Sequence, residues 1–307
     1  MGNPILAIYA QMFLSRAFTL LDDISGNKTK LVFDEMLMVL NRLCRQKPQT
    51  YEKITFEEYL SLFKPAADWI SLLLIRTNSD SFVFSEMQQL TAAVAETYSL
   101  VFLSLLDQVS GELVTQHSGH LVERCAALQR PDILRSLGRA LVRAGASLRD
   151  KEAVITTCWA AVTSYPLLED YLPCAAVWLE WVAIQFQNKE VSKLLGQIIK
   201  KVQATDSSYD TNPDLRDALL GIVRRRSPGL AAVLSLPNFL SVFTMITAEE
   251  VKAGLARALL SALQQEAALP SPDPVLRDLL VSVCSVLADS VTALTSADEA
   301  RQVRHAA

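Results

Sequence analysis

Three runs, PDILRSLGRALVRAG (131–145), DKEAVITTCWAAVTSY (150–165) and LPCAAVWLEWVAIQF (172–186), each carry apolar side chains at three- and four-residue spacing. That period places them along one face of an α-helix. Pro131 opens the first run and Gly145 follows it, the usual start and stop residues of a helix. Working outward, the same pattern recurs in KEVSKLLGQIIKKV (189–202), NPDLRDALLGIVRRR (212–226), TAEEVKAGLARALLSALQQEAAL (247–269), DPVLRDLLVSVCSVLADSVTALT (273–295) and SADEARQVRHA (296–306). Upstream lie SGELVTQHSGHLVERCAAL (110–128), FSEMQQLTAAVAETYSLVFLSLL (84–106), a run started by Pro65 (PAADWISLLLI), and LVFDEMLMVLNRLCRQ (31–46). A first helix opens at Asn3-Pro4, and Gly26 separates it from the next. The stretch 47–64, KPQTYEKITFEEYLSLFK, is more polar and reads as a loop or partly helical insertion.

Roughly a dozen helices with short linkers, recurring in pairs about every 40 residues, predict an all-α, HEAT-like α-solenoid of stacked antiparallel helix pairs. The alternative is one globular helical domain; no single all-apolar central helix is present to favour it. The solenoid reading takes residues 1–307 as one continuous segment. The last helix stops at His305-Ala306-Ala307 without a cap, and no polar capping repeat precedes the first, so the reading expects part of a longer scaffold.

Composition agrees. Only 10 Gly and 12 Pro occur in 307 residues, too few for turn-rich β architectures. Twenty-nine basic against 33 acidic residues give a net charge of −4, which supplies no basic field for nucleic acid. Cys44, Cys125, Cys158, Cys174 and Cys284 are odd in number and widely spaced, so they read as buried thiols of a reducing cytosol. No basic stretch precedes the apolar N-terminus, and Leu6 breaks a myristoylation pattern. Residues 227–247 carry no charge after Arg224-Arg225-Arg226, long enough to span a bilayer. Pro237-Asn238 at the centre instead predicts two short buried helices.

Catalytic chemistry finds little support. The three histidines are His117, His120 and His305. His117 and His120 could meet a metal, yet the zinc-site signature residues are missing and a solvated helix face is the favoured reading. Nucleophile-elbow and phosphate-loop motifs are absent. The carboxylate pairs Asp22-Asp23, Glu57-Glu58, Glu169-Asp170, Glu249-Glu250 and Asp298-Glu299 suit helix first turns, where anions meet the dipole. Lys200-Lys201 and Arg224-Arg225-Arg226 close helices for the converse reason, with an acidic partner or lipid headgroup as the alternative. Trp159, Trp178 and Trp181 read as core residues of a helix pair, with Trp178 and Trp181 flanking Glu180 on one face. Asp68-Trp69 after Pro65 reads as a capped helix start. No residue is assigned to catalysis, to a cofactor or to a metal.

Particular blocks resemble the vacuolar protein sorting-associated protein 35-like family. They are Gly2-Asn3-Pro4-Ile5 with Tyr9-Ala10 and Arg16, then Pro65-Ala66-Ala67-Asp68-Trp69-Ile70, then Cys174-Ala175-Ala176-Val177-Trp178-Leu179-Glu180. Near the end come Asp273-Pro274-Val275, Leu279-Leu280, Val283-Cys284, Asp289-Ser290-Val291-Thr292-Ala293-Leu294-Thr295 and Asp298-Glu299, in family order. The resemblance implies the non-enzymatic α-solenoid scaffold of the endosomal retriever complex, which belongs to the larger Commander assembly. It also implies an arrestin-like subunit, a metallophosphoesterase-like subunit and a sorting-nexin cargo adaptor as partners, peripheral residence on endosomes, and return of transmembrane cargo to the cell surface. A scaffold of another trafficking complex such as retromer shares every feature read from the residues. The family's proline-arginine-aromatic stretch would precede Met1, its partner-holding C-terminal repeats would follow Ala307, and Ser79 to Asp107 departs from the family pattern. No partner-contact residue is carried over.

Overall fold

The computed structural model describes residues 10, 13, 14, 17, 26–46, 56–92, 96–226, 234–264 and 274–289. Among them lie fourteen α-helices and no strand. Where the sequence reading takes one continuous segment, the chain divides into two compact units, Met1–Leu128 and Gln129–Ala307.

In the first unit, α1 (Gly26–Gln46) packs on α2 (Phe56–Thr77), and α4 (Glu96–Leu106) lies against both. Phe33, Met36 and Leu40 of α1 meet Phe63, Ala67, Ile70 and Leu74 of α2 and Val101, Phe102 and Leu105 of α4 in a core closed to solvent. Helix α3 (Asp80–Ala92) covers α4 and carries Glu86, a buried carboxylate held by Lys30 Nζ at 2.5 Å. Lys30 also reaches Asp34 at 2.8 Å, so its charge is shared between two acids. Burial pulls its pKa down, but the hydrogen bonds and charges of Asp34 and Glu86 outweigh this and hold it above the ordinary lysine value.

Helix α2 is described from Phe56, so the second half of the 47–64 stretch, expected to be a loop or partly helical, is helical; residues 47–55 lie outside the described residues. Pro65, read as a helix start, sits inside α2 on its exposed side. A mid-helix proline removes one N–H bond and costs about 3 kcal/mol. Here Phe63 and Ala67 bury on either side of it, and a break between them would surrender one of the two.

The run 84–106 is two helices, α3 and α4, not one, and residues 93–95 are not described. The run 110–128 is likewise two, α5 (Gly111–Gln116) and α6 (Ser118–Ala127). The break falls at His117, whose φ of −110° and ψ of 18° leave helical geometry. Its ring stacks on Phe84 with centroids 3.6 Å apart. Ser110 caps α5 by accepting from Leu113 N–H, and the bend lets Leu113 and Val114 bury together with Leu121, Val122 and Cys125.

The second unit realises the solenoid pattern in two rows. One row is α7 (Pro131–Ala144), α9 (Leu168–Gln185), α11 (Asn212–Arg226) and α13 (Glu249–Gln264), each packed on the next. The other is α8 (Lys151–Ser164), α10 (Asn188–Ala204), α12 (Pro237–Met245) and α14 (Pro274–Asp289), with α10 on α12 and α12 on α14. Within each pair the two helices pack on one another, α7 on α8, α9 on α10, α11 on α12 and α13 on α14, giving four stacked pairs. Pro131 and Pro237 begin helices as expected, and Gly145 closes α7 at φ 62°, the left-handed region open to glycine. Pro173 is the exception, lying inside α9, which starts five residues earlier at Leu168 than proline punctuation suggests.

Within the first of these rows, helices approach closely where glycine permits. A Cβ on Gly138 of α7 would sit 2.8 Å from Val177 Cγ1, and one on Gly221 of α11 would sit 2.9 Å from Glu180 Cβ, so α9 is held between two glycine notches. Trp178 and Trp181 of α9 are fully buried, with rings edge-to-face at 5.6 Å. Removing an aromatic of this kind costs about 3–5 kcal/mol.

Candidate functional site

Several polar side chains are occupied in holding one helix pair to the next. Glu180, between the two tryptophans, takes Arg225 Nε at 2.8 Å, and Arg226 donates to the Phe186 carbonyl. The basic triplet is therefore partly consumed by the preceding pair: Arg226 is half-buried, while Arg224 and Arg225 remain exposed. Gln185, almost closed to solvent, donates to Ala146 O at 2.6 Å and accepts from Leu148 N–H at 3.2 Å, fastening α9 to the α7–α8 turn. Asn212 Oδ1 accepts from Thr247 N–H at 2.7 Å and Ala248 N–H at 3.1 Å, which ties the start of α11 to the start of α13. Asn238 Nδ2 donates to Ser192 O at 2.7 Å and joins α12 to α10. This nearest-neighbour bonding is how a stack of repeats stabilises itself.

Both histidines of the pair are half-exposed. His117 stacks on Phe84 and His120 meets the same ring edge-on at 5.6 Å, so both rings pack on an aromatic instead of converging on a ligand. Among the described residues, no group of three His, Cys, Asp or Glu side chains could hold a metal. Of the carboxylate pairs, Glu169-Asp170 and Glu249-Glu250 sit in the first turns of α9 and α13, as capping predicts. Glu58 is exposed on α2. Asp22-Asp23, Asp298-Glu299, the Glu57 side chain and His305 lie outside what is described. Asp68 is bonded to Lys64 in mid-helix, not at a cap.

Cys125, Cys158 and Cys174 are buried free thiols and Cys284 is half-buried. Desolvation pushes Cys174 up to about 12 and Cys125 further, which keeps them protonated and inert. Cys174 donates to Pro131 O at 3.0 Å. The apolar segment 227–247 is described from residue 234 onward, where Pro237 opens the short helix α12. Among the described residues, no helix is long and apolar enough to cross a membrane.

One concavity stands apart from this packing. A groove of about 330 Å³ runs between α8, the end of α9 and α10, walled by Ile155, Trp159, Val182, Phe186 and Leu194. Trp159 donates its indole N–H to Gln197, which satisfies its polar edge and leaves apolar ring in the wall. Glu190 and Lys193 stand at the rim. Trp159 is buried, as expected of a core residue, and the groove beside it is not marked by any motif. The available signal is the lack of any charged residue between Glu152 and Glu169.

Comparison with known proteins follows the same order along the chain. The VPS35L C-terminal domain family matches residues 83–306. The chain is 24% identical over 312 residues to the proteins called VPS35 endosomal protein-sorting factor-like from Mus musculus and Homo sapiens, covering 99% of this chain. A protein called VPS35 endosomal protein sorting factor-like from Dictyostelium discoideum is 24% identical over 315 residues, covering 98% of this chain. The chain spans about a third of the length of these relatives, 32% for the two mammalian proteins and 31% for the third. With stacked helix pairs and a family match over most of its length, the chain belongs to the VPS35L C-terminal domain family.

Proposed function

We propose that this chain is a scaffold segment of the endosomal retriever complex, without catalysis of its own, serving the return of transmembrane cargo from endosomes to the cell surface. The observation that carries the reading is the family match over residues 83–306, a family whose members are named as endosomal sorting factors. The architecture is consistent with it, because stacked helix pairs offer long surfaces and few enclosed pockets. Polar side chains spent on joining neighbouring pairs, among them Glu180, Arg225, Arg226 and Asn212, agree with it too. In this reading an arrestin-like subunit and a metallophosphoesterase-like subunit bind the complete scaffold, a sorting nexin brings cargo, and the assembly joins Commander. Attachment to the endosome is then peripheral, through partners.

A recycling assay tests the proposal. Disrupting the gene should lower the surface level of cargo that recycles through retriever, and re-expression of the complete protein should restore it. Unchanged surface levels, with internalisation intact, would contradict the assignment.

A further inference from the structure

We propose that the groove between α8 and α10 is a docking site for an amphipathic helix that carries an apolar anchor on one face and carboxylates along the adjoining flank. Two observations meet at this place. The groove itself is apolar and open, with Trp159, Phe186 and Leu194 in its walls. Beside it, the solvent-facing side of α8 beyond the exposed Glu152 carries Ala153, Thr156, Thr157, Ala160, Thr163 and Ser164, all exposed, and no further charge occurs on this helix. Exposed helix faces in soluble proteins normally carry charges, and a face of Ala and Thr over about three turns instead allows a second helix to approach closely.

The charge of the occupant follows from α10. Its exposed side presents Lys189, Lys193 and Lys200, against the half-buried Glu190 at the rim. Acidic side chains flanking the apolar anchor would pair with these lysines, while basic ones would meet like charge. The uncharged stripe runs along the axis of α8, which suits a helical ligand whose anchors recur at three- and four-residue spacing. An anchor seated in the groove displaces water from apolar wall, the usual source of hot-spot energy. The inference concerns this surface alone and does not depend on which sorting complex the chain serves.

Fluorescence anisotropy on the full chain provides the test. The probe is a helix-stapled peptide of about five turns with Leu and Trp on one face and Glu on the flank, compared with a version bearing Lys for Glu and with a shuffled sequence. The Glu peptide should bind at least about tenfold more tightly than either comparison peptide, and Ala160→Glu, on an exposed helical position, should weaken it by a similar factor. Lys193→Glu should weaken the Glu peptide and strengthen the Lys peptide, a reversal that mere disturbance of the fold would not produce. Equal binding of all three peptides, or binding indifferent to both substitutions, would overturn the proposal. So would sedimentation showing self-association that Ala160→Glu abolishes, because a second copy would then occupy the groove. Capture by anionic vesicles that depends on Lys193, without preference among the peptides, would overturn it as well.

Discussion

At the scale of single residues, glycine shows what the sequence reveals and what it withholds. Gly138 and Gly254 both lie within helices and look alike in sequence, but a Cβ on Gly138 would meet Val177 Cγ1 at 2.8 Å while one on Gly254 would meet nothing within 4 Å. Gly138→Val should therefore cost roughly 2 kcal/mol by overpacking. Gly254→Ala should gain up to about 1 kcal/mol through helix propensity. Urea titration followed by tryptophan fluorescence checks both, and like-signed changes would contradict the packing. Tyrosines set the response to alkali. Burial raises Tyr165 and Tyr171, and Tyr209 is pushed up to about 12 by burial and then by its hydrogen bond to Asp214. A raised value means that the folded chain favours the protonated phenol. The stability this contributes is complete below the ordinary tyrosine range and is lost as pH climbs through the raised values. Tyrosinate absorbance should thus appear together with loss of helix between about pH 10 and 12. Tyr171→Phe removes a buried hydroxyl that has no hydrogen-bond partner and should move that transition to higher pH.

At the scale of the element, helix existence was legible and helix ends were not. Apolar spacing located α7, α8, α10, α11 and α13 well, because each needs only its own local period. Pro65 misled, since local rules treat proline as a start, while burial of side chains before and after it carries the helix through. Pro65→Ala restores an N–H within a continuous helix and should stabilise the first unit by about 1–3 kcal/mol. If the helix began at Pro65, the same change would be neutral or slightly destabilising; circular dichroism melts separate the two. The division of 110–128 at His117 was illegible for a different reason. It depends on Phe84, on another helix, taking the imidazole at 3.6 Å. The groove beside α8 belongs to the same class, being formed by three helices, although the charge-free run from Ala153 to Leu168 is its trace in sequence.

At the scale of the whole molecule, the period of about 40 residues foretold paired helices, and the second unit supplies them with row helices beginning at Pro131, Leu168, Asn212 and Glu249. The division into two compact units was not foretold, because contacts between helices far apart in sequence decide it and the apolar patterns on the two sides of Leu128 are alike. Inter-pair bonds such as Arg225 to Glu180 and Asn212 to Thr247 make each pair depend on its neighbour, the property that suits a stacked array to act as a scaffold. Quantitative affinity purification of the complete protein containing this chain tests the scaffold assignment most directly. The account predicts that an arrestin-like protein and a metallophosphoesterase-like protein are recovered with it in comparable molar amounts. Recovery of neither, from a preparation whose circular dichroism shows the helices folded, would contradict it.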